Sequence, residues 1–208
     1  MRKTSARRIL LGLILLQLLP ATLPAADWPC WRGPDGLGVS TEKSLPVQWG
    51  KDKNIAWKTA LPGKGASSPV IVGNRVYLTA QPTNLSLHVL AISRERGEIL
   101  WDREIGRGTL HANKLHNMAS PTPMADGQHV WAMFGTGDLA CLDNDGKILW
   151  QRNLVQEYGV FKFGHGYGSS PMLDAGRLFI VCMHQGPSYV LILLKNPWSF
   201  FEALGWAG

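Results

Sequence analysis

The chain has 208 residues, 45% hydrophobic and 17% charged, a balance that excludes a disordered polymer and allows one or two packed domains. With 23 Gly, 13 Pro and nine Trp it favours short strands and turns over long helices. The formal charge of +6 does not point to nucleic acid: Arg2, Lys3, Arg7 and Arg8 precede the first acid, Asp27, and the nearly balanced remainder has no Lys/Arg cluster interleaved with aromatics.

Residues 1–26 read as a secretory signal. MRKTSARR is a basic start, ILLGLILLQLLP an apolar run, and ATLPAA supplies small residues for cleavage after Ala26. The apolar run is about 12 residues, and a spanning helix needs about 20. An uncleaved anchor is the alternative, and Arg7-Arg8 loosely suggests twin-arginine export. With the signal removed, no membrane span is expected, and the mature chain is expected to be exported, periplasmic or extracellular. Cysteines tend to pair in such a space. The three here, Cys30, Cys141 and Cys182, fit no metal spacing, and the last two sit in apolar strand-like runs where buried thiols are the default.

Residues 27–65 form a lead-in that opens with DWPCWRGPDGLG, and residues 66–191 repeat. Ser68-Pro69, Ser120-Pro121 and Ser170-Pro171 lie 52 and 50 residues apart. Ala91 precedes Trp101 by ten residues, and Ala140 precedes Trp150 by ten, with Gly97 and Gly146 each four before their Trp. A period near 50 with short strands predicts propeller blades. The first unit parses as strands over Pro69–Val72, Arg75–Ala80, Leu87–Ile92 and Glu98–Asp102. Gly73-Asn74, Asp126-Gly127, Asp145-Gly146 and Ala175-Gly176 lie between apolar runs, as hairpins require. The repeated Gly allows a tight turn into the last strand, and the repeated Trp fills the wedge between neighbouring sheets.

AISRERGEILW and ACLDNDGKILW, each after a Ser-Pro strand, resemble the pyrroloquinoline-quinone-like (PQQ-like) propeller repeat. DWPCWRGP resembles the start of secreted proteins of this kind common in planctomycetes. The resemblance implies an all-β fold: a partial β-propeller of four-stranded antiparallel blades, about two complete and part of a third. It leaves function open, because the family includes quinoprotein dehydrogenases, outer-membrane assembly scaffolds and kinase sensor domains. It also implies that NIAWKTALPG, residues 54–63, is a last strand with Trp57 in the Trp place, completing the final blade of a closed ring. DWPCWRGPDGLG is then expected to pack its tryptophans on the outside of that junction, or to form an aromatic docking patch.

Residues 192–208 depart from the pattern: Glu202 stands in the expected Trp place, with no Gly four residues before it. This suggests a frameshift or truncation near Leu191; the alternative is a divergent tail with a short helix over Trp198–Leu204. Fewer than three full blades leave strand edges open to pairing with another chain, so a stable, active protein is not expected from this chain alone.

The connections from Trp101 to Ser120 and from Trp150 to Ser170 are long and equivalent, so both are expected on one rim. They carry His111, Lys114 and His116, and Lys162, His165 and Tyr167, candidates for an anionic or polyhydroxylated ligand. His111, His116 and His165 could also hold a metal, but His-x4-His is not a specific spacing and no acid lies nearby, so no metal site is assigned. A quinone dehydrogenase would need a stacking Trp, calcium ligands and an Asp base. Asp138 and Asp143 read as ordinary turn residues, and no catalytic residue is assigned. The expected function is a non-catalytic binding or scaffold module, partnered by envelope proteins or a small polar ligand and without cofactor. The alternative is a fragment of a PQQ-dependent quinoprotein dehydrogenase, which would take the quinone and calcium.

Overall fold

The computed structural model describes residues 26–43, 45–108, 116–162 and 166–194, and the backbone of 204–206. The signal segment, except Ala26, lies outside these residues. The strands form three antiparallel four-stranded sheets. Sheet one is β1 (Val70–Val72), β2 (Arg75–Ala80), β3 (Ser86–Ser93) and β4 (Ile99–Arg107). Sheet two is β5 (Met124–Ala125), β6 (His129–Met133), β7 (Asp138–Asp143) and β8 (Ile148–Asn153). A short helix, α1 (Leu154–Tyr158), follows, and then sheet three: β9 (Met172–Asp174), β10 (Arg177–Cys182), β11 (Ser188–Leu194) and β12 (Leu204–Trp206).

The first unit has the four strands expected, with shifted ends. β1 starts one residue after Pro69, whose missing N–H cannot join a ladder. β4 runs five residues past Asp102, because β3 offers it partners back to Ser86. Between β9 and β10, Ala175 and Gly176 both have positive φ, the geometry a two-residue type I′ hairpin needs.

Alternation gives each strand two apolar faces, and the sheets stack face to face. Tyr77, Val89 and Ala91 of sheet one meet Val130, Ala132 and Leu142 of sheet two in one core. Trp131, Met133 and Cys141, from the other face of sheet two, meet Leu178, Ile180 and Cys182 of sheet three in a second. All three cysteines are buried free thiols, as the apolar runs around Cys141 and Cys182 led one to expect. Cys30 donates to the Gly33 carbonyl at 2.9 Å.

The repeated Trp and Gly join neighbouring sheets. Trp101 of β4 lies against Gly146 of sheet two, where a Cβ would fall 2.7 Å from the indole. Its Nε1 donates to the Asn144 carbonyl at 2.8 Å, and Arg103 Nε donates to the Gly146 carbonyl at 2.8 Å. Trp57 stands in the same relation to Gly97, with Nε1 donating to the Arg94 carbonyl at 2.8 Å and Thr59 capping the Gly97 carbonyl. Both glycines have positive φ, so Gly is required twice over, by the turn and by the ring above it. Residues 54–63, expected as a last strand, make the Trp contact but join no ladder.

The repeat's alanines are not equivalent. Ala91 lies opposite Trp101, whereas Trp150 lies opposite Cys141, and Ala140 opposite Gln151. The β7–β8 connection is one residue shorter than β3–β4, which slips the register and turns Ala140 to the other face.

The lead-in lies elsewhere than expected. Trp28 exchanges backbone bonds with Ile71 at 2.7 and 2.9 Å, and the Pro29 carbonyl accepts from the Ala125 N–H at 2.9 Å. The segment therefore covers the free edges of β1 and β5, whose unpaired backbone groups need partners. Trp28 folds over Gly33, while Trp31 is 55% exposed. The proposed tail helix falls on residues outside those described except Leu204, which is in β12. That short strand pairs with Ser188–Val190, so sheet three has a fourth strand rather than stopping at three.

Candidate functional site

The two long connections converge on one cleft of about 510 Å³. One wall is the end of β4, at Arg107 and Gly108. The floor is the β6–β7 turn with Thr136 and Asp138, and the other wall is the start of α1 with Asn153 and Gln156. Phe161 and Tyr167 close the side next to sheet three.

The floor is a connected polar chain. The Asp138 carboxylate, largely buried, accepts from Thr136 Oγ1 at 2.5 Å and from Asn153 Nδ2 at 3.1 Å. Asn153 also caps α1, its Oδ1 accepting from the Gln156 N–H at 2.9 Å. Asp138 is thus not a turn residue: it opens β7 and ties the turn to the helix. Gly106 of β4 lets the carboxylate approach, since a Cβ there would sit 3.0 Å from it. Arg107 makes a two-point pair with Glu104 at 2.7 and 3.1 Å. The cleft therefore offers a hydroxyl, two amides, an anchored cation and an aromatic edge, the donors and surfaces of a binding site.

The expected rim residues fare differently. His111, Lys114 and His165 lie outside the described residues. The His116 ring reaches the neighbourhood of Gly168, so the two connections meet there. Tyr167 is placed otherwise than a rim phenol: its hydroxyl donates to the Val181 carbonyl at 3.1 Å, and its ring is buried in the second core. Burial and the adjacent Cys182 push this phenol far up, and the ring stacks on Phe161 with centroids 5.0 Å apart. Lys162 packs toward the β10–β11 turn, its carbonyl accepting from the Gln185 N–H at 3.0 Å. Thr136, Asp138, Asn153 and Gln156 were missed by the sequence reading. Asn153 and Gln156, three apart, have the spacing of a helix start and could have revealed α1.

Among the described residues no group of three or more His, Cys, Asp or Glu could hold a metal ion, and no helix is long and apolar enough to cross a membrane.

The family described as outer membrane protein assembly factor BamB matches residues 35–187. The chain belongs to this family. BamB of Yersinia pestis is 26% identical over 125 residues, 59% of this chain and 28% of that protein. Among solved structures, quinohemoprotein alcohol dehydrogenase from Comamonas testosteroni superposes with a TM-score of 0.61 at 17% identity, over 86% of this chain and 27% of that one. A europium-containing methanol dehydrogenase gives 0.53 at 14% identity, over 74% and 27%. These likenesses show a PQQ-type propeller fold. The chain spans little more than a quarter of each relative's length.

Proposed function

We propose that this BamB-family chain is an exported, non-catalytic binding module of an envelope assembly, and that the cleft between β4 and α1 receives partner polypeptide. The observation that supports this is the mouth of the cleft, where exposed Gln156 and Val160 offer an amide and apolar contact beside a floor in which Asp138 is tied to Thr136 and Asn153. The relative's description as an outer membrane protein assembly factor supports taking a segment of an outer-membrane protein as the partner, and we take it as an extended chain with the alternating apolar and polar residues of a barrel strand.

The test is fluorescence anisotropy of a labelled barrel-strand peptide titrated with the signal-free chain. Saturable binding is expected, weakened about tenfold by Gln156→Ala combined with Val160→Asp, the loss of about 1.4 kcal/mol. Equal binding by the variant, or none by either, overturns the reading. Adding pyrroloquinoline quinone and calcium with an acceptor dye is the second arm. Turnover of the dye with an alcohol would favour the dehydrogenase alternative.

A further inference from the structure

The chain is fastened from its first described residue. Asp27 Oδ1 accepts from the Gly73 N–H at 2.9 Å, and Trp28 exchanges two backbone bonds with Ile71. One residue earlier, the Ala26 N–H donates to Glu42 Oε1 at 2.6 Å. Glu42 is partly buried, and its own N–H donates to Ser40 Oγ at 3.2 Å, which steadies the backbone that carries the carboxylate. The Ala26–Glu42 bond therefore joins the two ends of the stretch whose Trp28 and Pro29 cover the edges of β1 and β5.

The sequence puts a candidate processing bond directly beside this contact. Ala25 and Ala26 both supply the small residue that a leader needs just before its cut. They differ two places further back. A cut after Ala26 has Pro24 there, with a fixed φ and no N–H to offer a peptidase. A cut after Ala25 has Leu23 there, larger than the usual small residue but with its N–H and backbone freedom intact.

We propose that the export leader ends at Ala25, not at Ala26, and that the mature chain begins with an Ala26 ammonium paired to Glu42. This rests on the export reading above. Water adds across the Ala25–Ala26 amide: its oxygen stays on Ala25 as a carboxylate, and both its protons end on the Ala26 amine. The neutral N–H that Glu42 accepts becomes a cation in the same place, so hydrolysis turns an ordinary hydrogen bond into a charge-assisted one. A cut after Ala26 would delete this donor. It would also move the new charge one residue along, about 3.8 Å, to Asp27, whose side chain already serves Gly73.

The experiment uses the full chain with its leader, produced in a Gram-negative host and recovered from the cell envelope. N-terminal sequencing and intact mass are expected to show a start at Ala26. A start at Asp27, or at any other new residue, overturns the proposal and leaves the export reading standing. A chain that keeps residues 1–25 overturns both. Leu23→Glu is expected to leave the leader attached; an unchanged cut would mean that Leu23 is not the residue the peptidase reads. The pairing has its own readout. Acylation of the Ala26 amine at pH 7 is expected to be about threefold slower in the mature parent than in Glu42→Gln, the scale of an exposed ion pair. Equal rates overturn the pairing with Glu42.

Discussion

The indole of Trp101 occupies the space that a side chain at position 146 would need. Gly146 has φ of +78°, and a Cβ there would lie 2.7 Å from the ring. Gly146→Ala therefore pays twice, for the left-handed backbone and for pushing the ring away, about 3 kcal/mol together. Gly176, with φ of +74° and nothing within 4 Å, isolates the first part; Gly176→Ala is expected to cost only about 1 kcal/mol. Urea unfolding of both variants reads the difference, and equal losses would remove the ring contact from the account.

Asn153 serves two partners with one amide. Asn153→Ala strips the α1 cap and leaves one Asp138 oxygen without its donor, a loss of about 2 kcal/mol. Asn153→Asp retains the cap but sets a carboxylate at 3.1 Å from Asp138, so it is expected to be as harmful at pH 7 and milder at pH 4. Thermal melts at the two pH values separate capping from charge.

The thiols are expected to be silent in the native chain. Burial, with Asp126 and Asp143 nearby, pushes Cys141 up to about 12, and burial also raises Cys30 and Cys182. The reactive species is the thiolate, so labelling by iodoacetamide should stay slow from pH 7 to 9 and then reach all three cysteines in urea. Fast labelling of any one at pH 8 would contradict its placement.

Tyr77 makes the chain sensitive to alkali. Burial raises its phenol to about 12, while the unfolded residue titrates near 10. The folded value is the higher one, so its stabilising contribution is complete below pH 10 and is lost as pH rises toward 12. The urea midpoint should fall across that window less steeply in Tyr77→Phe than in the parent chain. Parallel curves would mean the phenol is not shielded as its 1% exposure indicates.

Much of the fold was legible because the repeat marks its own turns. Ser-Pro placed the first strands, and Gly-x-x-x-Trp placed the last strands of sheets one and two, where a tight turn meets a bulky wedge. The register was not legible at Ala140: a connection shortened by one residue is invisible when motifs are aligned by eye, yet it exchanges the two faces of a strand. The lead-in was misplaced because edge satisfaction is a backbone requirement, and the side chains of DWPCWRGP do not announce it. At the cleft, sequence reasoning chose the polar residues of the connections. The structure instead builds the floor from Asp138, which reads in sequence as a turn residue, with Thr136 and Asn153, which no motif marks, and draws Tyr167 inward, where its hydroxyl donates to the Val181 carbonyl.

The Trp and Gly that meet in space belong to different copies of the repeat in sequence. Trp57 precedes the unit whose Gly97 it covers, and Trp101 ends one unit while sealing the next. The joint is thus written across the boundary between duplicated stretches, and every stretch carries one half of each of two joints. Removal of residues 68–119 as a block would deliver Trp57 to Gly146 with both halves intact. A chain of this design can gain or lose a whole repeat and still carry a matched Trp and Gly at the new junction, so that joint does not fix the number of sheets.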